Sequence, residues 1–209
     1  MTNPAIECAP NGPYLVKNLD PLRNSKGDSL ATKPVTALCR CGRSSTKPFC
    51  DGTHKNMGFT GERSTDGGNV KRMSYEGRRI TIHDDRGICA HAGYCTEGLR
   101  AVFDSERKPW IDPDGASVEK VIAIIRQCPS GALSYSLDGV EHLDQTRAPS
   151  ITVTENGPYA VVGGVRLVGA DMRDGASTEH FTLCRCGASK NKPFCDGSHW
   201  EIGFKDDKN

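Results

Sequence analysis

The chain of 209 residues is poor in apolar side chains, which make up 36% of the sequence, and in aromatic ones, which make up 6%. With so few apolar side chains, one large hydrophobic core is not expected. No run approaches the roughly 18 apolar residues of a membrane span, and residues 1–20 lack the features of a secretory signal peptide. A formal net charge of +1 gives no excess of positive charge that would bind nucleic acid or anionic lipid. We therefore expect a cytoplasmic protein that binds neither nucleic acid nor membrane.

The sequence is rich in cysteine, with ten in 209 residues. A chain with so many thiols and so little apolar material is held together by disulfides or by metal. Disulfides belong to oxidising compartments, and nothing in the sequence indicates secretion, so metal–thiolate sites are favoured. The sequence has no phosphate-binding loop, no dinucleotide fingerprint and no nucleophile with an obvious base. We therefore expect no enzyme activity.

An internal repeat divides the chain. Residues 11–16 (NGPYLV) recur as residues 156–161 (NGPYAV), an offset of 145 positions that also relates six cysteines and two histidines. The related pairs are Cys39 and Cys184, Cys41 and Cys186, Cys50 and Cys195, and His54 and His199. Such a constant offset indicates duplication of a small module. We therefore divide the chain into residues 1–68, 69–145 and 146–209, with the repeated modules first and last.

Local patterns predict the secondary structure around the cysteines. Strand-forming runs occupy 14–16 and 35–38 in the first copy, 159–162 and 180–183 in the second, and 79–83 at the start of the middle segment. Apolar residues at helical spacing from Val118 to Ile125 predict a helix that Ser117 caps and that ends by Cys128. Residues 138–150 are polar and predict a linker. The fold class is therefore α+β, with two small β-rich modules flanking an α+β domain.

Each repeated module offers three cysteines and one histidine within a short stretch, which is a complete tetrahedral ligand set. The candidate ligands are Cys39, Cys41, Cys50 and His54 in the first module and Cys184, Cys186, Cys195 and His199 in the second. Three thiolates and one imidazole suit zinc by ligand type. However, paired zinc ligands are usually two to four residues apart, and only Arg40 separates the first two cysteines. Zinc and an iron–sulfur cluster both remain open on the residues alone.

Both clusters resemble the CDGSH iron–sulfur domain family, which is mitoNEET-like. The resemblance lies in the cysteine spacing, a serine, a proline and the signature itself, which reads CDGTH over residues 50–54 and CDGSH over residues 195–199. It implies one [2Fe-2S] cluster per motif, with Cys39 and Cys41 on the inner iron, Cys50 and His54 on the outer iron, and the same roles in the second motif. It also implies that the two modules can pair as an intramolecular pseudo-dimer.

The middle segment carries a third candidate site, formed by Cys89, Cys95 and Cys128. Cys128-Pro129 is similar to the last ligand of a bacterial-type ferredoxin, and residues 80–135 resemble the divergent mono-cluster [4Fe-4S] ferredoxin domain. The spacing of the three cysteines is also that of [3Fe-4S] ferredoxins, and Ala92 stands where a central ligand usually lies. The site therefore predicts a [3Fe-4S] cluster, or a [4Fe-4S] cluster with a fourth ligand from elsewhere. His91 is either that ligand or a loop residue.

These sites predict a protein of single-electron transfer with a redox partner protein. A histidine ligand raises a cluster's potential, since two-histidine Rieske centres lie at about −150 to +300 mV and plant-type ferredoxins at about −400 mV. We therefore expect the middle cluster to have the lowest potential, with electrons running outward to both flanks. The alternatives are a carrier that delivers clusters to an apo acceptor, a redox or pH sensor with a labile histidine ligand, and structural zinc modules.

The remaining cysteine and histidines are expected to be structural. Cys8 aligns with Val153 at a strand position, which predicts a buried small side chain. His83, His142 and His180 have no cysteine at ligand spacing and are expected at the surface or in turns.

Overall fold

The computed structural model describes residues 3–64, 70–207 and 209, and its fold is α+β, as predicted. The first module holds β1 (Ala5–Cys8), β2 (Tyr14–Lys17), β3 (Leu22–Arg23), β4 (Ser29–Leu30) and β5 (Val35–Leu38). The middle domain holds β6 (Met73–Glu76), β7 (Thr81–Asp84), α1 (Tyr94–Gly98), α2 (Val118–Ile125), β8 (Leu133–Leu137) and β9 (Val140–His142). The second module holds β10 (Ser150–Val153), β11 (Tyr159–Val162), β12 (Arg166–Val168), β13 (His180–Leu183) and α3 (Ser198–Glu201).

The two repeated modules exchange strands. The first sheet has the order β12-β1-β2-β5 and the second the order β13-β11-β10-β3-β4. In each sheet three strands of one copy pair antiparallel, and a strand of the other copy adds in parallel, with Ala5 opposite Arg166 and Ile151 opposite Leu22. In the second sheet β4 of the first copy pairs in turn with β3. β3 and β12 are equivalent in the repeat, so the exchange is reciprocal. The duplicated halves are therefore paired within one chain.

The exchanged sheets enclose one apolar core that draws equally on both copies. Its members that are at most 1% exposed are Ile6, Tyr14, Leu38, Ile151, Val153, Tyr159, Val161 and Leu183. The rings of Tyr14 and Tyr159 meet edge to face at its centre, with their centroids 6.0 Å apart. Because short strands with few apolar residues bury little area alone, sharing one core explains how a sequence with 36% hydrophobic residues folds two modules.

The middle domain has a core of its own. The antiparallel sheet β6-β7-β8-β9 packs against α2 through Ile82, Val121 and Leu133, and Phe103 lies in the same cluster. Ser117 occupies the position before α2 in extended conformation, but its side chain makes no capping hydrogen bond. The helix ends before Cys128, whose N–H donates to the carbonyl of Ile125 at 2.9 Å, so the third cysteine follows the helix as predicted.

Besides the cap by Ser117, two sequence predictions are wrong. Residues 138–150 do not form a plain linker, because β9 pairs with β8 through Tyr135 opposite His142. His180 is not at the surface or in a turn: it lies in β13 and is 2% exposed, with its Nδ1 near Ser177 and Glu179. In β13 it pairs with Val162 of β11, a contact that the local sequence pattern does not reveal. The prediction for Cys8 agrees with the structure, since Cys8 ends β1 and is 9% exposed.

Within the described ranges, no helix reaches the length and apolar character needed to cross a lipid bilayer.

Candidate metal centres

The first candidate centre lies at the end of β5. The loop after Cys41 doubles back, so that the N–H of Cys39 donates to the carbonyl of Pro48 at 2.7 Å and the N–H of Cys50 donates to the carbonyl of Ala37 at 2.9 Å. These two hydrogen bonds bring the third cysteine beside the first two. The sulfurs of Cys39 and Cys41 are 3.8 Å apart.

A short turn places the histidine of this motif. Gly52 has a left-handed φ of 90° and precedes a 3₁₀ turn over Thr53–Asn56, which sets Nδ1 of His54 3.4 Å from the sulfur of Cys50. The carboxylate of Asp51 accepts hydrogen bonds from Thr53 and from the N–H and hydroxyl of Ser45. These hydrogen bonds, with those of Thr53 the strongest, hold the pKa of Asp51 well below its usual range. Asp51 therefore fixes the loop and does not act as a ligand.

The second motif repeats this geometry. The sulfurs of Cys184 and Cys186 are 3.6 Å apart, and Nδ1 of His199 lies 3.4 Å from the sulfur of Cys195. Asp196 accepts hydrogen bonds from Ser198 and from the N–H of Lys190, in the same places as its counterpart.

These distances fit pairs of ligands on tetrahedral metal ions. Two sulfurs about 2.3 Å from such an ion lie about 3.8 Å apart, and a sulfur and an imidazole nitrogen about 3.6 Å apart. In the described part of the chain, no three His, Cys, Asp or Glu side chains gather at one point that a single ion could fill. Each motif thus offers two pairs, one pair for each of two metal ions. That set fits a binuclear cluster better than a single zinc ion.

The thiols of both motifs are unfavourable places for uncompensated negative charge. Burial raises the pKa of Cys50 and, more strongly, that of Cys195. A hydrogen bond between the sulfurs of Cys184 and Cys186 raises the pKa of Cys186 and lowers that of Cys184. A bound cation reverses this cost, because metal binding removes the thiol proton and neutralises the thiolate.

Each motif is held by the other copy of the repeat. The hydroxyl of Tyr14 lies 2.9 Å from the carbonyls of Cys184 and Pro193, and that of Tyr159 lies 2.8 Å from the carbonyl of Cys39. The two cysteine loops also touch. A Cβ at Gly42 would lie 2.4 Å from the carbonyl oxygen of Cys186, and one at Gly187 would lie 2.5 Å from that of Cys41. Only glycine permits this approach, so the two candidate centres are neighbours.

The third candidate centre is a cavity of about 240 Å³ in the middle domain, lined by Cys89, Cys95 and Cys128. The N–H of His91 points to the sulfur of Cys89 at 3.4 Å, and a guanidinium N–H of Arg86 lies 3.7 Å from it. Burial raises the pKa of Cys89 to about 11, and its neighbours Cys128 and Cys95 contribute to the rise. Three mutually repelling thiols around one cavity fit a multinuclear cluster in which each thiolate binds a different iron.

Asp84 also lines this cavity. Its side chain is 2% exposed, and Oδ1 has no hydrogen-bond partner among the described residues. Burial raises the pKa of Asp84 to about 6, although Arg86, whose Nε lies 3.8 Å from Oδ2, opposes the rise. The cavity wall is therefore polar on one side, which an empty apolar void would not be.

His91 joins the third centre to the second motif. It has a left-handed φ of 53°, and a Cβ at Gly197 would lie 2.7 Å from its ring. The indole N–H of Trp200 donates to the carbonyl of His91 at 3.0 Å, and the side-chain amide of Asn191 donates to the carbonyl of Gly87 at 3.0 Å. The ring of His91 packs on the loop that carries Cys195 and His199, and His91 also lines the cavity with the three cysteines, so the roles of loop residue and fourth ligand both stay open.

Sequence reasoning missed four residues that hold the two motifs. Tyr14 and Tyr159 cross between the copies, and Arg40 and Arg185 each lie between two paired cysteines. Arg185 donates to the carbonyl of Gly157 at 2.6 Å, and Arg40 to that of Gly61 at 2.8 Å. Their recurrence at the repeat offset was the available signal, but it does not distinguish a contact within one copy from a contact between copies.

Comparison with known proteins matches all three segments. The family model for the iron-binding zinc finger of CDGSH type matches residues 11–55 and 156–200. The model for the divergent 4Fe-4S mono-cluster matches residues 75–138, between them. The protein YjdI of Escherichia coli K12, whose name describes it as uncharacterized, is 44% identical over 61 residues, which cover 29% of this chain and 80% of that protein. The YjdI protein of E. coli O157:H7 matches to the same extent. No solved structure matches the chain.

Proposed function

Because this chain belongs to the CDGSH iron-binding family and carries a divergent 4Fe-4S mono-cluster domain between its two CDGSH motifs, we propose that it is a three-cluster protein of single-electron transfer. It is an iron–sulfur protein. In the proposal, each CDGSH motif holds one [2Fe-2S] cluster and the middle cavity holds a [3Fe-4S] or [4Fe-4S] cluster. The protein converts no substrate of its own and works with a redox partner protein.

The ligands follow from the distances between donor atoms. Cys39 and Cys41 form one pair, and Cys50 and His54 the other. Cys184, Cys186, Cys195 and His199 do the same in the second motif. Cys89, Cys95 and Cys128 serve the middle cavity. When bound, such clusters supply one-electron redox chemistry at potentials set by ligand charge, hydrogen bonding and exposure. The chain itself supplies buried thiolates, two imidazoles and fixed loops.

The observation that carries the proposal is that the three sites adjoin one another. The cysteine loops of the two motifs touch through Gly42 and Gly187, and the middle cavity touches the second motif through His91 and Gly197. Electron transfer between sites needs this proximity. Structural zinc sites and a cluster carrier do not need it.

Chemical analysis with spectroscopy tests the proposal. Anaerobically purified protein is expected to contain about seven irons with a [3Fe-4S] cluster or about eight with a [4Fe-4S] cluster, and about eight sulfides in either case. The oxidised protein shows a paramagnetic signal only for [3Fe-4S]. A potentiometric titration should resolve three one-electron steps, with the middle site lowest because all its protein ligands are thiolates. A colourless zinc protein, or only four irons per chain, would contradict the proposal.

The exposure of one histidine favours a second candidate, a cluster carrier. His54 is only partly buried, and its 3₁₀ turn buries none of its residues. A protonated imidazole leaves its metal, so an acceptor protein could reach this site. Incubation with an apo-ferredoxin separates the candidates: transfer of iron and sulfide supports the carrier, whereas retained clusters with rapid reduction support electron transfer.

A reducing compartment such as the cytoplasm suits either candidate. All ten cysteines lie in the described ranges as free thiols, and thiols persist where glutathione and thioredoxin keep them reduced.

A further inference from the structure

The two CDGSH motifs share their ligand geometry but not their surroundings. A Cβ at Gly197 would collide with the ring of His91, which lies 2.7 Å away. A Cβ at the equivalent Gly52 would have no described atom within 4 Å apart from its own chain neighbours. The middle domain therefore covers the signature loop of the second motif and leaves that of the first open.

Burial of the ligands follows this difference. Cys195 is 2% exposed and His199 is 4% exposed. Their counterparts Cys50 and His54 are only partly buried. A partner protein can approach the ligands of the first motif directly. The middle domain covers the signature loop of the second motif and keeps a partner farther from its ligands.

The exposed face of the first motif is also the more cationic. Residues 43–56 contain three cations and one carboxylate, whereas residues 188–201 contain two of each. The difference comes from Arg43, where the second copy has Ala188, from Lys55, where it has Trp200, and from Asn56, where it has Glu201. Lys190, where the first copy has Ser45, offsets one of these three charges. Arg43 and Lys55 are both exposed. We call the surface formed by Arg43, Cys50, His54 and Lys55 the first-motif face.

The arginine between the paired cysteines adds to this difference. Arg185 forms a buried ion pair with Asp206. The position equivalent to Asp206 is Gly61, and Arg40 donates to its carbonyl oxygen at 2.8 Å. Within the part of the chain that the structure describes, no carboxylate pairs with Arg40 and its Nε has no partner. Among the described residues, a carboxylate therefore compensates the charge of Arg185, and none compensates that of Arg40.

We propose that the first-motif face is the docking surface for a one-electron redox protein that presents an acidic patch. Complementary charge fixes the orientation of two proteins and speeds their encounter. The face combines partly exposed ligands with the cations that such a partner needs, and the second motif lacks both. This inference rests on the proposed function. In the exchange, one protein loses one electron and the other gains it, and no bond or proton is transferred.

A pair of matched charge reversals tests the surface in the full, cluster-loaded chain. Arg43→Glu with Lys55→Glu alters the first-motif face. Lys190→Glu with Lys205→Glu makes the same change of charge at exposed positions of the second module. The probe is an acidic blue-copper protein carrying a fluorescent label, and affinity is measured by anisotropy at low ionic strength. Iron content and the visible spectrum verify that each variant retains its clusters.

The first variant is expected to bind the copper protein at least about tenfold more weakly, and the second variant within about twofold of the original chain. A basic c-type cytochrome should show the opposite order, with the first variant binding more tightly. Equal effects of the two reversals, or a larger effect at the second module, would overturn the docking surface.

Stopped-flow oxidation of the reduced protein by the same copper protein separates this inference from the proposed function. If affinity follows the charges but no electron moves, the docking surface stands and electron transfer fails. If electrons are transferred, but neither charge reversal alters the transfer rate or the binding affinity, electron transfer stands and the docking surface fails.

Discussion

At the scale of single residues, the duplicated motifs differ most in the partner of one arginine. Asp206 compensates the charge of Arg185, whereas Gly61 offers Arg40 only a carbonyl oxygen. Uncompensated positive charge near a redox centre favours the reduced, more negative form. We therefore expect the first motif to have a higher midpoint potential than the second, even though both have three cysteines and one histidine.

Gly61→Asp should reduce this difference. A Cβ at Gly61 would lie 2.5 Å from Nη1 of Arg40, which is the flexible end of that side chain and can move aside. The new carboxylate would then lie against the guanidinium. One compensating charge at about 10 Å and an effective dielectric constant near 20 contributes about 1.7 kcal/mol. The midpoint potential of the first site should therefore fall by about 70 mV. Potentiometric titration followed by paramagnetic resonance measures it.

Thr60→Asp is the matched control, because it adds the same charge at an exposed neighbour where solvent and salt screen it. An equal fall in potential in both variants would mean that surface charge, and not the partner of Arg40, sets the difference.

The buried His180 gives a pH dependence that belongs to the same scale. Burial lowers its pKa, the nearby Arg147 lowers it further, and Glu179 and Asp144 oppose this. The folded protein therefore binds a proton at His180 less readily than the unfolded chain does, whose histidines titrate near pH 6.5. Stability is present above about pH 6.5 and is lost as the pH falls below that value.

The thermal midpoint of the original protein should fall more between pH 7.5 and pH 5.5 than that of His180→Asn. The proposed ligands His54 and His199 are present in both proteins, so the difference between the two slopes isolates His180. Parallel profiles would show that His180 does not contribute.

At the scale of elements, the exchange of β3 and β12 decides which residues support which site. Tyr14 follows the turn of the first repeat but holds the cysteine loop of the second, and Tyr159 does the reverse. A ligand loop in one copy therefore depends on a strand in the other.

Tyr14→Phe should weaken the second site, and Tyr159→Phe the first. Each change removes the hydroxyl donor from a buried cysteine carbonyl oxygen, that of Cys184 or that of Cys39, which costs about 1–3 kcal/mol. The proline carbonyls keep a cysteine N–H as donor. During slow chelation of iron, thiol alkylation mapped by mass spectrometry should label Cys184, Cys186 and Cys195 first in Tyr14→Phe. In Tyr159→Phe it should label Cys39, Cys41 and Cys50 first. Preferential labelling of the motif in the same copy as the mutation would be inconsistent with the crossed arrangement.

The elements also indicate what the sequence could predict. Strands at 14–16, 35–38, 159–162 and 180–183 and the helix from Val118 follow from local periodicity, and the structure has strands and a helix there. The pairing of β1 with β12 does not follow from the sequence. An offset of 145 positions indicates that two copies exist, but it does not indicate which strands pair. The sequence places His91 close to Cys89, which makes it a candidate ligand. Its packing on Gly197, more than a hundred residues away, does not follow from that spacing.

At the scale of the whole molecule, the shared core revises the role expected for metal. A low apolar content suggests that each module is stabilised separately by its own cluster. Instead Ile6, Tyr14 and Leu38 of the first copy pack with Ile151 and Leu183 of the second. Neither copy has a complete core alone, whereas the middle domain has its own.

The chain should therefore separate into two folding units and not three. Residues 146–209 alone should remain unfolded as a monomer even with iron and sulfide, because they lack β3 and half of the core residues. Residues 70–145 should fold, and a mixture of residues 1–68 with 146–209 should recover the exchanged sheets. Circular dichroism, amide resonance dispersion and iron content measure each outcome. Folding of 146–209 only as a dimer would agree, because two copies can restore the exchange, but a folded, iron-loaded monomer would contradict the shared core.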